Sequence, residues 1–248
     1  MSPEPENDWR TYADDCYQAG KSIVERANIW KTHISGDDPR LIAVLLLIRT
    51  LWNFNGAVVL AGMKMTVEAR ILTRCCFENL FTVVALSEQG PGFVQKMVDA
   101  DEADRRRRGE FLLESAPGPR DDDEVFKAML RTLKSKDRGL NPRNVAGLGP
   151  LKKGYAFYAQ LSADSGHPTM AALNRYLKPG ALGEKSGLAV HLDPVDDSEI
   201  LETIELACTA LIGVSVNANA VLGEQDHPEL GRLIAKMNKR AMPETNRG

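Results

Sequence analysis

The sequence predicts an all-α fold: a single multi-helix bundle of about six to eight helices joined by irregular loops. Three observations predict it. Apolar residues return every three or four positions over long stretches, the period of a helix with one buried face. Gly, Pro, Asp and Asn punctuate the ends of those stretches, where helices begin and stop. No alternating strand pattern persists, and aromatic residues make up only 6% of the chain. A hydrophobic content of 43% and a charged content of 26% are those of an ordinary globular protein. At 248 residues the chain can bury a substantial core.

The elements follow in order. Trp9, Tyr12, Cys16, Ile23, Ala27, Trp30 and Ile34 keep mostly three- and four-residue steps and predict an amphipathic first helix reaching Ile34. "GDDPR" supplies an Asp cap and Pro39 at the first helical position, opening a second helix that runs to about Gly62. A third spans about Thr66 to Gln89 and stops at Gly90-Pro91-Gly92. A fourth runs from about Phe93 to Ser115. Residues 116–124 read as an exposed acidic connector, and a shorter helix follows from about Glu124 to Lys136. Residues 138–153 read as a second exposed connector, Tyr155–Ser162 as helical, and 178–195 as an irregular loop. Asp196 and Glu199 form a D-x-x-E cap on a long helix ending at Gly223, and Pro228 opens the last helix. The loops read as insertions within one domain spanning 1–248.

Composition narrows the function classes. A net charge of -3 gives no global basic field for nucleic acid. "MSPEPENDWR" lacks the apolar stretch of a secretory signal. The longest apolar run, Leu41–Ile48, lies between Arg40 and Arg49, and a membrane span needs about 20 mostly apolar residues. The expectation is a soluble, cytoplasmic protein without membrane contact. Cys16, Cys75, Cys76 and Cys208 form no CxxC pair and read as free thiols of a reducing compartment. His33, His167, His191 and His227 show no ligand spacing, and no phosphate-binding glycine loop is present. No metal and no cofactor are expected.

Three stretches carry candidate chemistry. Arg105–Arg108 offers a basic patch for phosphates. Asp101, Glu102 and Asp104 precede Arg105, Arg106 and Arg108 at the four-residue offset that pairs charges along a helix, so a solvated helix face is the leading reading. In "EARILTRCCFENLFTVVAL", Arg70, Arg74, Glu78 and Thr82 descend one narrow stripe of an otherwise apolar helix, bordered by Cys75 and Phe81. That stripe faces solvent through a gap or lines an internal pocket; a buried ion pair there is costly unless fully hydrogen-bonded. In "YAQLSADSGHPT", Tyr158 and Ser162 share a helix face with Tyr155, and His167 follows just before Pro168. A serine and a histidine so placed are either the polar end of a helix or part of a site.

Together, "ARILTRCCFENLF" and "YAQLSADSGHPTMAALNRY" resemble a widespread bacterial helical family catalogued only as a domain of unknown function. The positions carrying the resemblance are Arg74, Phe77, Glu78, Tyr158, Leu161, Ser162 and His167, over roughly residues 40–220. The layout is also distantly similar to the HEPN bundles, many of which are metal-independent ribonucleases with an R-x4-6-H motif. Arg26 and His33 match that motif literally, but about one such match is expected by chance, and Ala27 replaces the usual polar residue after the arginine.

The resulting expectation is a polar cluster of Arg74, Glu78, Tyr158, Ser162 and His167, assembled where the third helix meets the Tyr158 helix. Such a cluster serves an interaction module or a small-anion-binding module. The alternative is a metal-independent hydrolase or ribonuclease with His167 as general base and Arg74 on the phosphate. Partners expected are a second copy of the chain and a small anionic ligand or RNA.

Overall fold

The long helices form where the sequence places them. The computed structural model describes residues 5–27, 35–115, 118, 122–133, 139–179, 188–190, 196–224 and 227–241. Helix α1 covers Pro5–Arg26, α2 Pro39–Gly62, α3 Thr66–Gln89, α4 Pro91–Glu114 and α5 Asp123–Thr132. Short α6 (Pro142–Ala146) leads through a 3-10 turn (Pro150–Gly154) into α7 (Tyr155–Leu161) and a π-turn (Ser162–Gly166). After α8 (Met170–Asn174) come strands β1 (Leu177–Pro179) and β2 (Leu188–Val190), then α9 (Asp197–Val221) and α10 (Pro228–Ala241). The fold is all-α, with one antiparallel pair of three-residue strands in which Leu177 faces Val190 in register.

The core lies between α1, α2, α3 and α9, and α3 is its centre. Val83, Ala85, Cys76 and Ala69 of α3 are fully enclosed, as are Leu47 of α2 and Ala207, Leu211 and Val214 of α9. Two glycines admit the leucines of α3. A Cβ on Gly56 of α2 would stand 2.7 Å from Leu72 Cδ1, and one on Gly213 of α9 would stand 2.7 Å from Leu80 Cδ1. Either contact is closer than packed carbon atoms tolerate, so α3 sits deep because its neighbours have no side chain there. The Asn79 amide, buried between helices, donates to Thr50 Oγ1 at 3.1 Å, and that hydroxyl donates to the Leu46 carbonyl at 2.7 Å.

Caps agree with the sequence. Asp38 accepts from the Arg40 amide and Pro39 opens α2; Asp196 accepts from the Ser198 amide and opens α9. Beyond α9, Gly223 takes φ +80°, the left-handed conformation of a helix-ending glycine. His227 heads α10, its Nδ1 3.4 Å from the Leu230 amide and its Nε2 3.2 Å from Ser22 Oγ.

Four sequence readings change. Helix α1 ends at Arg26, whereas periodicity extended it to Ile34; residues 28–34, including His33, lie outside the described residues, as does His191. Within the connector expected over 138–153, residues 142–146 are helical and Val145 and Ala146 belong to the core. Five residues are too few to display a helical period in sequence. The irregular loop of 178–195 contributes strand residues at both described ends. Finally, α2 and α9 are each long and apolar enough to cross a membrane by length and composition, where the sequence reading found no such segment. Asparagines on α2 and α9 hid the stretches from a search for unbroken apolar runs.

Candidate functional site

Helix α7 docks on α3 through aromatic rings. Phe81 meets Tyr158 edge-to-face with centroids 6.0 Å apart, and Phe77 lies 6.3 Å from Phe157. Such contacts contribute about 0.5–1.5 kcal/mol each beyond area burial. Tyr155 and Tyr158, three residues apart on α7, pack at 5.5 Å. This docking carries the Tyr158 hydroxyl to the polar stripe of α3. The hydroxyl donates to Glu78 Oε1 at 3.1 Å and accepts from Arg74 Nη1 at 3.4 Å. Arg74 Nη1 and Glu78 Oε1 are 3.6 Å apart, and the guanidinium carbon stands 5.7 Å from the centre of the Tyr158 ring. Burial and the adjacent Glu78 carboxylate raise the Tyr158 pKa above its ordinary value of 10.0, so the phenol stays protonated and keeps its proton on Glu78.

The π-turn completes the surroundings. Like α7 before it, the turn packs against α3. The Ser165 hydroxyl bonds the Leu161 carbonyl within the turn. Gly166 lies against Arg74: a Cβ built there would stand 3.5 Å from Arg74 Nη1 and 3.5 Å from Ser162 Oγ. The next residue, His167, leaves the turn in extended conformation, φ -144° and ψ 156°, as a residue before proline does. Its side chain is exposed. Thr169 caps α8, accepting from the Ala172 amide at 3.1 Å.

Of the five candidate residues, Arg74, Glu78 and Tyr158 therefore form one hydrogen-bonded triad. Ser162 lies beside it, and His167 stands at its edge, one residue from Gly166. Among the described residues the His167 ring has no hydrogen bond. Arg74 Nε is buried and has no hydrogen-bond partner among them.

A scan of protein-family models matches residues 40–184 to a family of unknown function, DUF5677. The chain belongs to this family. Neither the curated proteins nor the solved structures contain a match. The DUF5677 segment contains all five candidate residues, so the triad is built wholly within it.

One turn before the triad, the same stripe makes a second cluster that the sequence reading did not assemble. Arg70, 1% exposed, lies with Nε 3.4 Å from Glu199 Oε1 and donates through Nη1 to Glu202 Oε2 at 3.0 Å and Thr203 Oγ1 at 3.4 Å. Arg175, just after α8, grips the same Glu199 with a two-pronged fork, one prong 2.7 Å long. Glu199 and Glu202 lie outside the DUF5677 segment, on α9. The spacing D-x-x-E had assigned Glu199 to a capping box; its carboxylate is held instead by two arginines. Thr82, at the other end of the stripe, only returns its hydroxyl to the Glu78 carbonyl at 2.8 Å.

The arginine run behaves as a solvated face. Arg105 pairs with Asp101 at 2.8 Å, as the spacing predicts. Arg106 turns forward to Glu110 at 2.9 Å rather than back to Glu102. Arg107 takes Asp104, and Arg108 Nε donates to the Asp104 carbonyl at 3.3 Å.

Proposed function

We propose that this chain is a helical binding module whose Arg74 receives one small anionic group, a phosphate or carboxylate, beside the π-turn. The observation that carries the reading is the buried Arg74 Nε without a partner among the described residues. A guanidinium N–H left unsatisfied costs about 1–3 kcal/mol or more, and an anionic oxygen reaching it recovers that cost with a charge-assisted bond. Tyr158 and Glu78 hold the guanidinium in place through the hydroxyl, and Gly166 puts no side chain against it. Glu78 is also a negative charge beside the incoming anion, so affinity for a lone phosphate falls in the millimolar range, about 4 kcal/mol.

Thermal unfolding in phosphate or sulfate, against chloride at equal ionic strength, tests this. Oxyanions raise the Tm of the wild type, and Arg74→Gln removes that rise while Arg105→Gln, in the exposed run, keeps it. An equal rise in Arg74→Gln overturns the reading. The hydrolase alternative predicts something different: RNA or phosphodiester turnover lost in His167→Ala without loss of fold. The geometry serves it less well, because among the described residues nothing orients the His167 ring, and a general base needs a positioned nitrogen.

A further inference from the structure

Helix α2 turns its inner face to α1, α3 and α9 and leaves an apolar outer face in water. Leu45 is 51% exposed, Trp52 71%, Val59 53% and Met63, one residue past the helix end, 65%. Leu45, Trp52 and Val59 recur every seven residues, which keeps them on one line along the helix. Half-buried Leu41, Ile48 and Leu60 widen the strip, and Arg49 is its one charge between Leu41 and Met63. Isolated exposed apolar side chains need no explanation, but a continuous strip of this length marks an interaction surface.

We infer that this face pairs with the same face of a second copy of the chain, antiparallel, about a two-fold axis through Trp52. The order of residues along the strip is what selects that partner. An axis at Trp52 sets Trp52 on Trp52, Leu45 on Val59 and Leu41 on Met63, so each of the four most exposed apolar groups meets another, while Ile48 comes over Gly56. It leaves the two copies of Arg49 six residues of helical rise apart along the seam, about 9 Å, so no two like charges meet. An isologous contact must be self-complementary in this sense.

The area agrees. Covering the four most exposed side chains and the flanking three removes on the order of 500 Å² per copy, or about 1,000 Å² in total, the lower end of specific interfaces. A membrane surface fits less well, since Arg49 is the one cation on the strip and anionic headgroups draw on several. The inference is independent of the Arg74 site, which lies elsewhere on α3 and α7.

Sedimentation velocity of the full chain, from about 1 to 200 µM, is the test, a range that spans micromolar dissociation constants. The wild type shifts from monomer to dimer across it. Trp52→Glu, which sets two carboxylates on the axis, weakens association at least thirtyfold, while Phe111→Glu on exposed α4 leaves it unchanged; circular dichroism verifies that both variants fold. Cysteine cross-linking reads the register, in a Cys75→Ser background. Trp52→Cys cross-links to itself; Leu45→Cys does not, but does cross-link when mixed with Val59→Cys. A monomer throughout the range, a dimer indifferent to Trp52→Glu, self-linking by Leu45→Cys, or wild-type binding to anionic lipid vesicles that Trp52→Glu abolishes would each overturn the inference.

Discussion

Arg70 and Arg74 stand one turn apart on the same stripe of α3, and their surroundings differ in kind. Arg70 is closed in by α9: two carboxylates and a threonine hydroxyl surround it, and almost none of it reaches water. Arg74 has one loosely placed carboxylate of its own helix, one phenol, a fifth of its side chain exposed, and a buried Nε that no described residue satisfies. The same residue type thus performs two tasks. A cation with its full set of acceptors fixes helices to one another, and adding a ligand to it gains little. A cation held in place but short of an acceptor has binding capacity left over.

The sharpest way to break this comparison is to truncate each arginine. Arg70→Ala empties a buried site between α3 and α9; Glu199 keeps Arg175 and Glu202 is half-exposed, so the cost is that of the lost charged hydrogen bonds, about 2–3 kcal/mol. Arg74→Ala loses a partly exposed i,i+4 pair and one long charge-assisted bond to the Tyr158 hydroxyl, about 1 kcal/mol together. Urea unfolding followed by circular dichroism measures both. Equal losses would mean that the two sites do not differ in the way proposed.

A smaller effect is expected at Arg175, which shares Glu199 with Arg70 and ties the segment after α8 to α9. Glu199 keeps Arg70 when Arg175 is removed, so Arg175→Ala costs about 1–2 kcal/mol, the scale of a charge-assisted hydrogen bond. The loss is local: amide hydrogen exchange accelerates over residues 170–177 and stays unchanged in α2. Uniform acceleration throughout the chain would show instead that Arg175 belongs to the core clamp.

How much of this was legible in the sequence follows from the range of the signals. The α3 stripe was readable because its residues are three and four apart on one helix, and its meeting with Tyr158 because the two flanking motifs are distinctive. The bond partners of Arg70 were not: Glu199 and Glu202 lie some 130 residues away, and the local spacing of Asp196 and Glu199 has its own sufficient explanation as a cap. The π-turn was also hidden. Nothing in "SADSG" announces a fifth residue in a turn, yet that turn ends on Gly166, which lies against Arg74. Helix α6 was missed for lack of length, although Val145 and Ala146 are core residues.

The smallest predicted effect isolates the triad from the clamp by pH. Tyr158 has its pKa raised above 10.0 by burial and by Glu78, whereas an unfolded tyrosine ionises at its ordinary value. Between those two pKa values the unfolded chain has released a proton that the folded chain retains. Stability from this group is therefore complete below pH 10 and declines as pH rises through the folded value. Tyr158→Phe removes that dependence, along with the hydroxyl that links Arg74 to Glu78. At pH 7 the variant is destabilised by about 1 kcal/mol, and the gap to wild type narrows as the pH passes 10, because the wild type alone loses this contribution. Tyr12, whose pKa is raised by burial against α10, is present in both proteins and cancels in the difference. A gap that stays constant across the alkaline range would show that the Tyr158 proton is not held on Glu78, and would leave Arg74 without the group that positions it.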